Sequence, residues 1–325
     1  MAAIYPVAGA YAVTPSYSGT FIPTLWSSKM IAKFYAATVF GEIANTDYEG
    51  EITGQGDKVT INTVPTIAIR DYVAGTALTY DVPVGATVDL TIDQGKYFGF
   101  RVNDVLDYQA KPDLMNTFTN DASEQMKIVI DKAVLLGTLK QVAAVSATNK
   151  NMGSNAGIIS GAYSLGTDTA PIALTGTNVL QLITQLSSTL DEANVPESDR
   201  YLVISPQVRQ VLMQSNLANA QFTGDNTSIQ RNGKIGMIDR FTLYVSNQLP
   251  RAAAGKDFDG NTSAGTALRH AMMAGHKCGL TFAAQITKVE DLVDQNDFGK
   301  LVRGLNVYGY KVVKPEALAI ALVNA

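Results

Sequence analysis

Residues 57–103 carry two runs of strict alternation, and no other part of the chain restricts its folding so tightly. In KVTINTV (58–64), Val59, Ile61 and Thr63 point one way while Lys58, Thr60 and Asn62 point the other. Past Pro65 the alternation resumes with Ile67 and Ile69. A turn-rich segment, residues 71–85, follows with Gly75, Pro83 and Gly85. Val88, Leu90 and Ile92 then alternate with Asp89, Thr91 and Asp93. Gly95 interrupts this run and KYFGFRV (96–102) continues it. Period two bounded by Gly and Pro predicts two half-buried strands joined by a long loop. At about 12 residues per strand, such an arm reaches on the order of 40 Å. A lone two-stranded hairpin is marginal in water, so the arm must rest on its own chain or on a second copy. Its apolar positions, Val59, Ile61, Ile67, Ile69, Val88, Leu90 and Ile92, are the candidate subunit-contact residues.

The rest of the chain bears on that choice. Its 325 residues suffice for one large core or two ordinary ones. Charged residues make up only 17%, below the usual quarter. That suits a surface covered by other protein, and equally an ordinary weakly charged domain. A net charge of −4 and the absence of any basic run argue against tight nucleic-acid binding, which needs clustered Lys and Arg to release counterions. One cysteine, Cys278, excludes an intrachain disulfide and fits a reducing environment. No apolar stretch approaches the roughly 18 residues of a membrane span. The first residues, MAAIYPVAGAYAV, have no basic segment and are broken by Pro6 and Gly9, unlike a signal peptide.

Residues 1–28 contain no charge and three prolines, which reads as an extended arm. Residues 26–44 allow a helix of about three turns ending near Gly41. After Pro112, the residues Leu114, Phe118, Ala122, Met126, Val129, Ile130 and Ala133 recur at helical spacing. Asp121, Glu124, Lys127 and Asp131 fall on the polar side. This long helix is expected from about Asp113 to Leu139, its pattern lasting until Gly137 or a little beyond. Residues 146–176, rich in Asn, Gly, Ser and Thr, form a loop region and a candidate boundary. A helix capped by Thr177 follows, striped by Val179, Leu180, Ile183, Leu186 and Leu190. YLVIS (201–205) reads as a buried strand, and Ser205-Pro206 as an N-cap with Pro at the first helical position. Helix, strand and helix in that order predict a mixed α/β second domain. Residues 216–233 are polar. Further strands are expected around Phe241, Leu243 and Val245, within 268–286, and after Leu305.

Chemistry-bearing residues are sparse. His270, His276 and Cys278 have the spacing His-x5-His-x-Cys, which lacks the close ligand pairs of zinc motifs. DFDGN (257–261) places Gly fourth where a calcium loop needs it sixth, so it reads as a turn. Asp191-Glu192 and Glu290-Asp291 read as solvated charge. No phosphate-binding or nucleophile-elbow motif is present. The reading is therefore of a non-enzymatic chain with no metal and no cofactor, whose two arms favour contact between subunits.

Taken in order and spacing, several segments resemble one family. They are FIPTLWSSKMIAKFYAATVFGEIANTDYEGEITGQGDKVTI (21–61), LTIDQGKYFGFRVNDV (90–105), ASEQMKIVIDKAVLLG (122–137), RYLVISPQVRQVLMQ (200–214), GKIGMIDRFTLYVSNQLP (233–250) and YGYKVVKPEAL (308–318). Together, across nearly the whole chain, they resemble the major capsid proteins of tailed bacteriophages with the Hong Kong 97-type fold. The resemblance implies an α+β fold divided into an N-terminal arm (1–44), an extended loop with flanking strands lying over the neighbouring subunit (45–104), a peripheral domain with a spine helix (105–156), an axial domain (157–293) and return strands of the peripheral domain (294–325). It implies pentamers and hexamers closing into an icosahedral shell around double-stranded DNA, bound without sequence specificity. Scaffolding and portal proteins are the implied assembly partners, and decoration proteins are further candidates. The implied location is the virion, assembled in the bacterial cytoplasm, with no membrane partner. The charged scaffolding segment that opens some relatives is missing, so a separate scaffolding protein or a mature-form sequence is expected. The alternatives are a cellular encapsulating compartment of the same fold and, in another class, a cytoplasmic α/β enzyme built around His270, His276 or Cys278.

Overall fold

A computed structural model describes residues 35–48, 58–65, 67–103, 114–215, 236–263, 265, 267–294 and 298–324. The expected N-terminal arm up to residue 34, and the polar stretch 216–233, lie outside these residues.

The first helix, α1 (Phe40–Ile43), is a single turn, and residues 35–39 before it are not helical. The three-turn helix expected to end near Gly41 is thus replaced, in its described part, by a turn that starts at Phe40. Asp131 explains the start. Its Oδ1 accepts the backbone N–H groups of Val39 (3.1 Å) and Phe40 (2.9 Å) from across the core. Helix α2 (Leu114–Asn149) carries Asp131, and its 36 residues make it about 54 Å long. It passes straight through Gly137. The glycine lies beneath the Tyr310 ring, where any Cβ would collide with it. It therefore marks close packing and does not end the helix. Asp131, expected on the polar side, is fully buried.

The largest sheet contains β4 (Ile172–Ala173), β5 (Arg200–Ile204), β6 (Met237–Ile238), β7 (Phe241–Val245), β8 (Arg251–Ala252), β9 (Arg269–His276) and β12 (Leu318–Asn324). Its order is β4-β12-β9-β5-β7-β6, with β8 alongside β9. Alternation divides its side chains between two cores. Tyr201, Val203, Ala271, Met273 and Ile320 pack towards Val134, Leu135, Leu139 and Val142 of α2. Leu202, Ile204, Met272, Ala274 and Ala321 pack towards α3 (Val179–Glu192) and α4 (Pro206–Met213). Every residue of β5 is buried, as its unbroken apolar run requires. Ser205 caps α4 as expected, its Oγ accepting the Val208 N–H. At α3 the cap differs: the helix starts at Val179, and Asn178 turns its side chain back to Thr175 N and Ala173 O.

A second sheet joins β10 (Leu280–Val293), β11 (Gly299–Val312) and β3 (Gln94–Asn103), all antiparallel. Two strands cross the division expected at residue 293. β10 pairs with β11, which pairs in turn with β3, while β12 lies inside the larger sheet between β9 and β4. Side-chain pattern alone does not specify such long-range pairing. The third sheet is the two-stranded pair β1 (Lys58–Thr63) and β2 (Ala86–Thr91).

Candidate assembly interface

The paired strands β1 and β2 form the root of the arm. Lys58 lies opposite Thr91 and Thr63 opposite Ala86. Past the strands the two segments stay close: Arg70 Nη1 donates to Thr79 O (3.0 Å), and Thr76 N–H donates to Val73 O (3.2 Å). Gly75, with φ of 87°, completes the turn at the tip, a backbone value that glycine adopts without a Cβ penalty. Residues 71–85 form the expected loop, which carries the turn and, among the described residues, no strand between Thr63 and Ala86. Each limb is about 16 residues, or roughly 55 Å, from root to tip. KYFGFRV (96–102) does not continue the second limb. It lies in β3, after the chain has turned at Asp93 into the three-stranded sheet.

One register sorts the arm into two faces, because directly opposed residues share a face. The polar face carries Lys58, whose Nζ lies 2.6 Å from Asp89, and Thr60, whose Oγ1 donates to Asp89 at 2.9 Å. Lys58, and then Thr60, hold the Asp89 carboxyl below the usual carboxylate range. Further out, Arg70 pairs with Asp81 at 2.6 Å. The opposite face of the paired strands carries Val59, Ile61, Val88 and Leu90, and the loop beyond them exposes Ile67, Ile69, Leu78, Tyr80, Val82 and Val84.

The predicted contact residues separate along that face. Ile61, Leu90 and Ile92 are buried in their own chain, packed on Ala283 with Val307 and Val313. Leu90 has no exposed surface at all. The expectation that these three meet a neighbour is corrected: the three-stranded sheet beneath the root already covers them. Ala283 and Gly309, opposite each other on β10 and β11, leave the room for this. Gly309 lies so close that a Cβ there would overlap the Thr91 carbonyl oxygen. Val59 and Val88 are half-buried at the root. Ile67 and Ile69 project beyond it, Ile69 being 94% exposed. Tyr80, Val82 and Val84, each more than 80% exposed, lie in the expected loop and were not among the predicted contacts. Their period-two spacing with Leu78 was the signal that could have identified them.

A second apolar surface lies on the three-stranded sheet. Tyr97 sits opposite Leu305, and both are exposed. Beside it, Arg303 grips Glu290 through Nε and Nη2 at 3.0 and 2.7 Å. A groove of 480 Å³ runs between β3 and α2, floored by Phe98, Phe100, Phe118, Met126 and Val129. Tyr35 reaches its edge, donating to Asp121 at 2.7 Å.

The carboxylates read as solvated charge are anchors instead. Asp191 lies 2.7 Å from the buried Arg200 guanidinium, which also donates to Val195 O and Pro196 O. Glu192 accepts from the backbone of Ile159 and Ser160. Arg269, likewise buried, reaches Asp168 at 2.8 Å and lies over the Phe258 ring. DFDGN forms the expected turn, with Asp257 Oδ1 accepting from Asp259 N and Asn261 N. His270 and His276 stand six residues apart on β9, roughly 20 Å, so they share no site. His276 Nδ1 accepts the Cys278 N–H at 3.2 Å. Burial pushes the Cys278 thiol up and the His276 imidazole down, which leaves both neutral near pH 7. Among the described residues no group of three His, Cys, Asp or Glu could hold a metal ion. No helix among them is long and apolar enough to cross a membrane.

The family model for phage capsid protein matches residues 85–321. No curated protein matches the chain in sequence. Among solved structures, a chain of Mycobacterium phage Che8 is 27% identical, with 93% of this chain and 97% of that chain covered and a TM-score of 0.71. The capsid of the cyanophage P-SCSP1u is 16% identical over 97% of this chain and 100% of its own, at a TM-score of 0.68. The mature capsid of bacteriophage PhiM1 is 13% identical over 97% and 98%, at 0.65.

Proposed function

Because this chain belongs to the phage capsid protein family, we propose that it is the major subunit of an icosahedral head, forming pentamers and hexamers that enclose double-stranded DNA. It has the Hong Kong 97-type fold and is a structural protein of the virion. One observation carries the proposal further than family membership does. The arm exposes a series of large apolar side chains and is buried on its own chain only at the root. Beyond the root lie Ile67, Ile69, Leu78, Tyr80, Val82 and Val84. Burying side chains of this size contributes about 1.5–3 kcal/mol each, a strong driving force even after the cost of ordering. A neighbouring subunit is the natural cover. Each copy then lends its arm to the next in a head-to-tail contact, which closes into a ring when the rotation allows. Ile67 and Ile69 remain the subunit contacts from the sequence-based set.

In this reading the three-stranded sheet with α2 forms the peripheral part, and the larger sheet with α3 and α4 the axial part. The acidic chain contains its DNA without gripping it, which keeps packaging and release free of strong contacts. Scaffolding and portal proteins are the assembly partners, decoration proteins are optional ones, and no catalysis is involved. Assembly takes place in the bacterial cytoplasm. The test is negative-stain microscopy of the expressed chain, with and without scaffolding protein, alongside limited proteolysis. Capsomers or shells in which residues 64–85 gain protease protection are expected. A monodisperse monomer, cut in the arm under every condition, would refute the proposal.

A further inference from the structure

Parallel strands β5 and β7 end side by side, and the residues that follow them, Ser205 and Ser246, line a cavity of 90 Å³. The Ser246 N–H donates to Ile204 O at 3.0 Å and holds the two strand ends together. In mixed α/β sheets the crevice beyond the carboxyl ends of parallel strands is where ligands bind. Helix α4 starts at this point; Pro206 has no N–H and Ser205 takes that of Val208, so the Gln207 N–H is the donor its first turn offers to the cavity.

The other polar walls are Gln207, Asn247, Arg251 and His270. None of these four side chains has a hydrogen bond or ion pair among the described residues. No carboxylate lines the cavity. Arg251 and His270 stand directly opposite each other on β8 and β9, which sets a cation beside an imidazole in the cavity wall. His270 is 95% buried, since only 5% of its surface is exposed, and its Nε2 has no partner. An orphaned buried nitrogen calls for a ligand or bound water. Burial, and after it Arg251, hold the imidazole below its ordinary range. A neutral ring beside a cation can donate to an anion while sparing the cavity a second positive charge.

We propose that this cavity binds one tetrahedral oxyanion of phosphate size, held by Arg251, His270 and the amino-terminal end of α4. The site welds the β5–α4 turn, the segment after β7, and β9 into one unit. The chemistry is shared by free phosphate and by the phosphate groups of nucleic acid. A cavity of this volume favours the free ion, because a phosphodiester carries two bulky substituents.

The test uses the full chain with ¹⁵N-labelled histidine. There are two histidines, so His276→Asn isolates the His270 signals. Titration with inorganic phosphate should shift the His270 ring nitrogens saturably, while a short DNA duplex at equal phosphate concentration should not. Arg251→Met, at an exposed position, should weaken phosphate binding by roughly tenfold to a hundredfold, the worth of a charge-assisted hydrogen bond. The fold of that variant is checked by its unchanged melting temperature without phosphate. An unmoved His270 signal overturns the proposal, as does equal phosphate stabilisation of wild type and Arg251→Met, which marks a general salt effect. A stronger response to duplex DNA than to phosphate overturns the assignment to a free ion.

Discussion

The placement of the arm depends on a missing methyl group, and Gly309→Ala restores it. In β11 the added Cβ would overlap the Thr91 carbonyl oxygen and lie 3.0 Å from Ile92 Cα. Both obstacles are backbone, so no side-chain rotation relieves them. Carbon–oxygen contacts settle near 3.3 Å, and restoring that separation lifts the arm's root by about 1 Å. The paired root, β1 against β2, is six residues, roughly 20 Å, so the lift tilts the arm by about 3°. Over a limb of roughly 55 Å the tip swings by about 3 Å, enough to take an apolar stripe out of register with its cover. Overpacking costs about 1–3 kcal/mol, partly offset by the ~0.5–1 kcal/mol that Ala gains over Gly in a strand. Thermal melts, light scattering and microscopy read the two effects separately. The control is Gly99→Ala, whose Cβ would meet only Val302 O at 3.9 Å. Gly309→Ala should fold, melt about 1–3 °C lower, and yield several-fold fewer shells, while Gly99→Ala assembles normally. Shells of normal yield and diameter from Gly309→Ala would show that the root does not set the arm's direction.

Other expectations concern single side chains. Ile69→Asp, at a solvent-facing position, should leave the circular dichroism melt unchanged and suppress assembly; unimpaired assembly removes the stripe from the interface. Leu90→Asp buries an unpaired carboxylate and should destabilise the arm's root by about 3 kcal/mol or more, visible as early proteolysis within β1–β2 before any assembly. Ser205→Ala removes the α4 cap and should cost about 1 kcal/mol in a urea titration, with no change in slope. At Asp131, burial raises the carboxyl above its ordinary range, against the opposing pull of the Val39 and Phe40 N–H groups. The folded state therefore holds this proton more tightly than the unfolded one. The stabilisation is complete below the ordinary carboxylate value near ~4 and is lost as pH rises through the raised value. Asp131→Asn should flatten that stretch of the pH–stability curve, and an unaltered curve would assign it to another group.

Local rules predicted local features well. The Ser205-Pro206 helix start and the buried strand at Tyr201 are written in adjacent residues and hold in the structure. The α+β class and the alternating root of the arm were legible for the same reason. Features set by distant partners were not. Gly137 looks like a helix end until Tyr310 lies across it. Asp131 looks exposed on α2 until Val39 and Phe40 arrive more than ninety positions away in sequence. Asp191 looks solvated until Arg200 is buried beside it. The extent of the interface was misjudged in both directions. Leu90 and Ile61 are apolar because their own sheet covers them, whereas Tyr80 and Val82, exposed in the loop between the strands, were not counted.

Strand β12 has a consequence for timing. It is the last strand in chain order, yet it stands inside the largest sheet, between β9 and β4. Leu318, Ile320 and Leu322 complete one core, and Ala319, Ala321 and Val323 complete the other. Until these seven residues leave the ribosome, both cores lack a wall and the earlier strands of the largest sheet wait on a contact far along the chain. The arm, in contrast, is encoded early and needs few partners. Synthesis therefore produces the adhesive part of the subunit first and the body that must carry it last, so the interval before residue 318 emerges is when a nascent chain is most exposed to premature association.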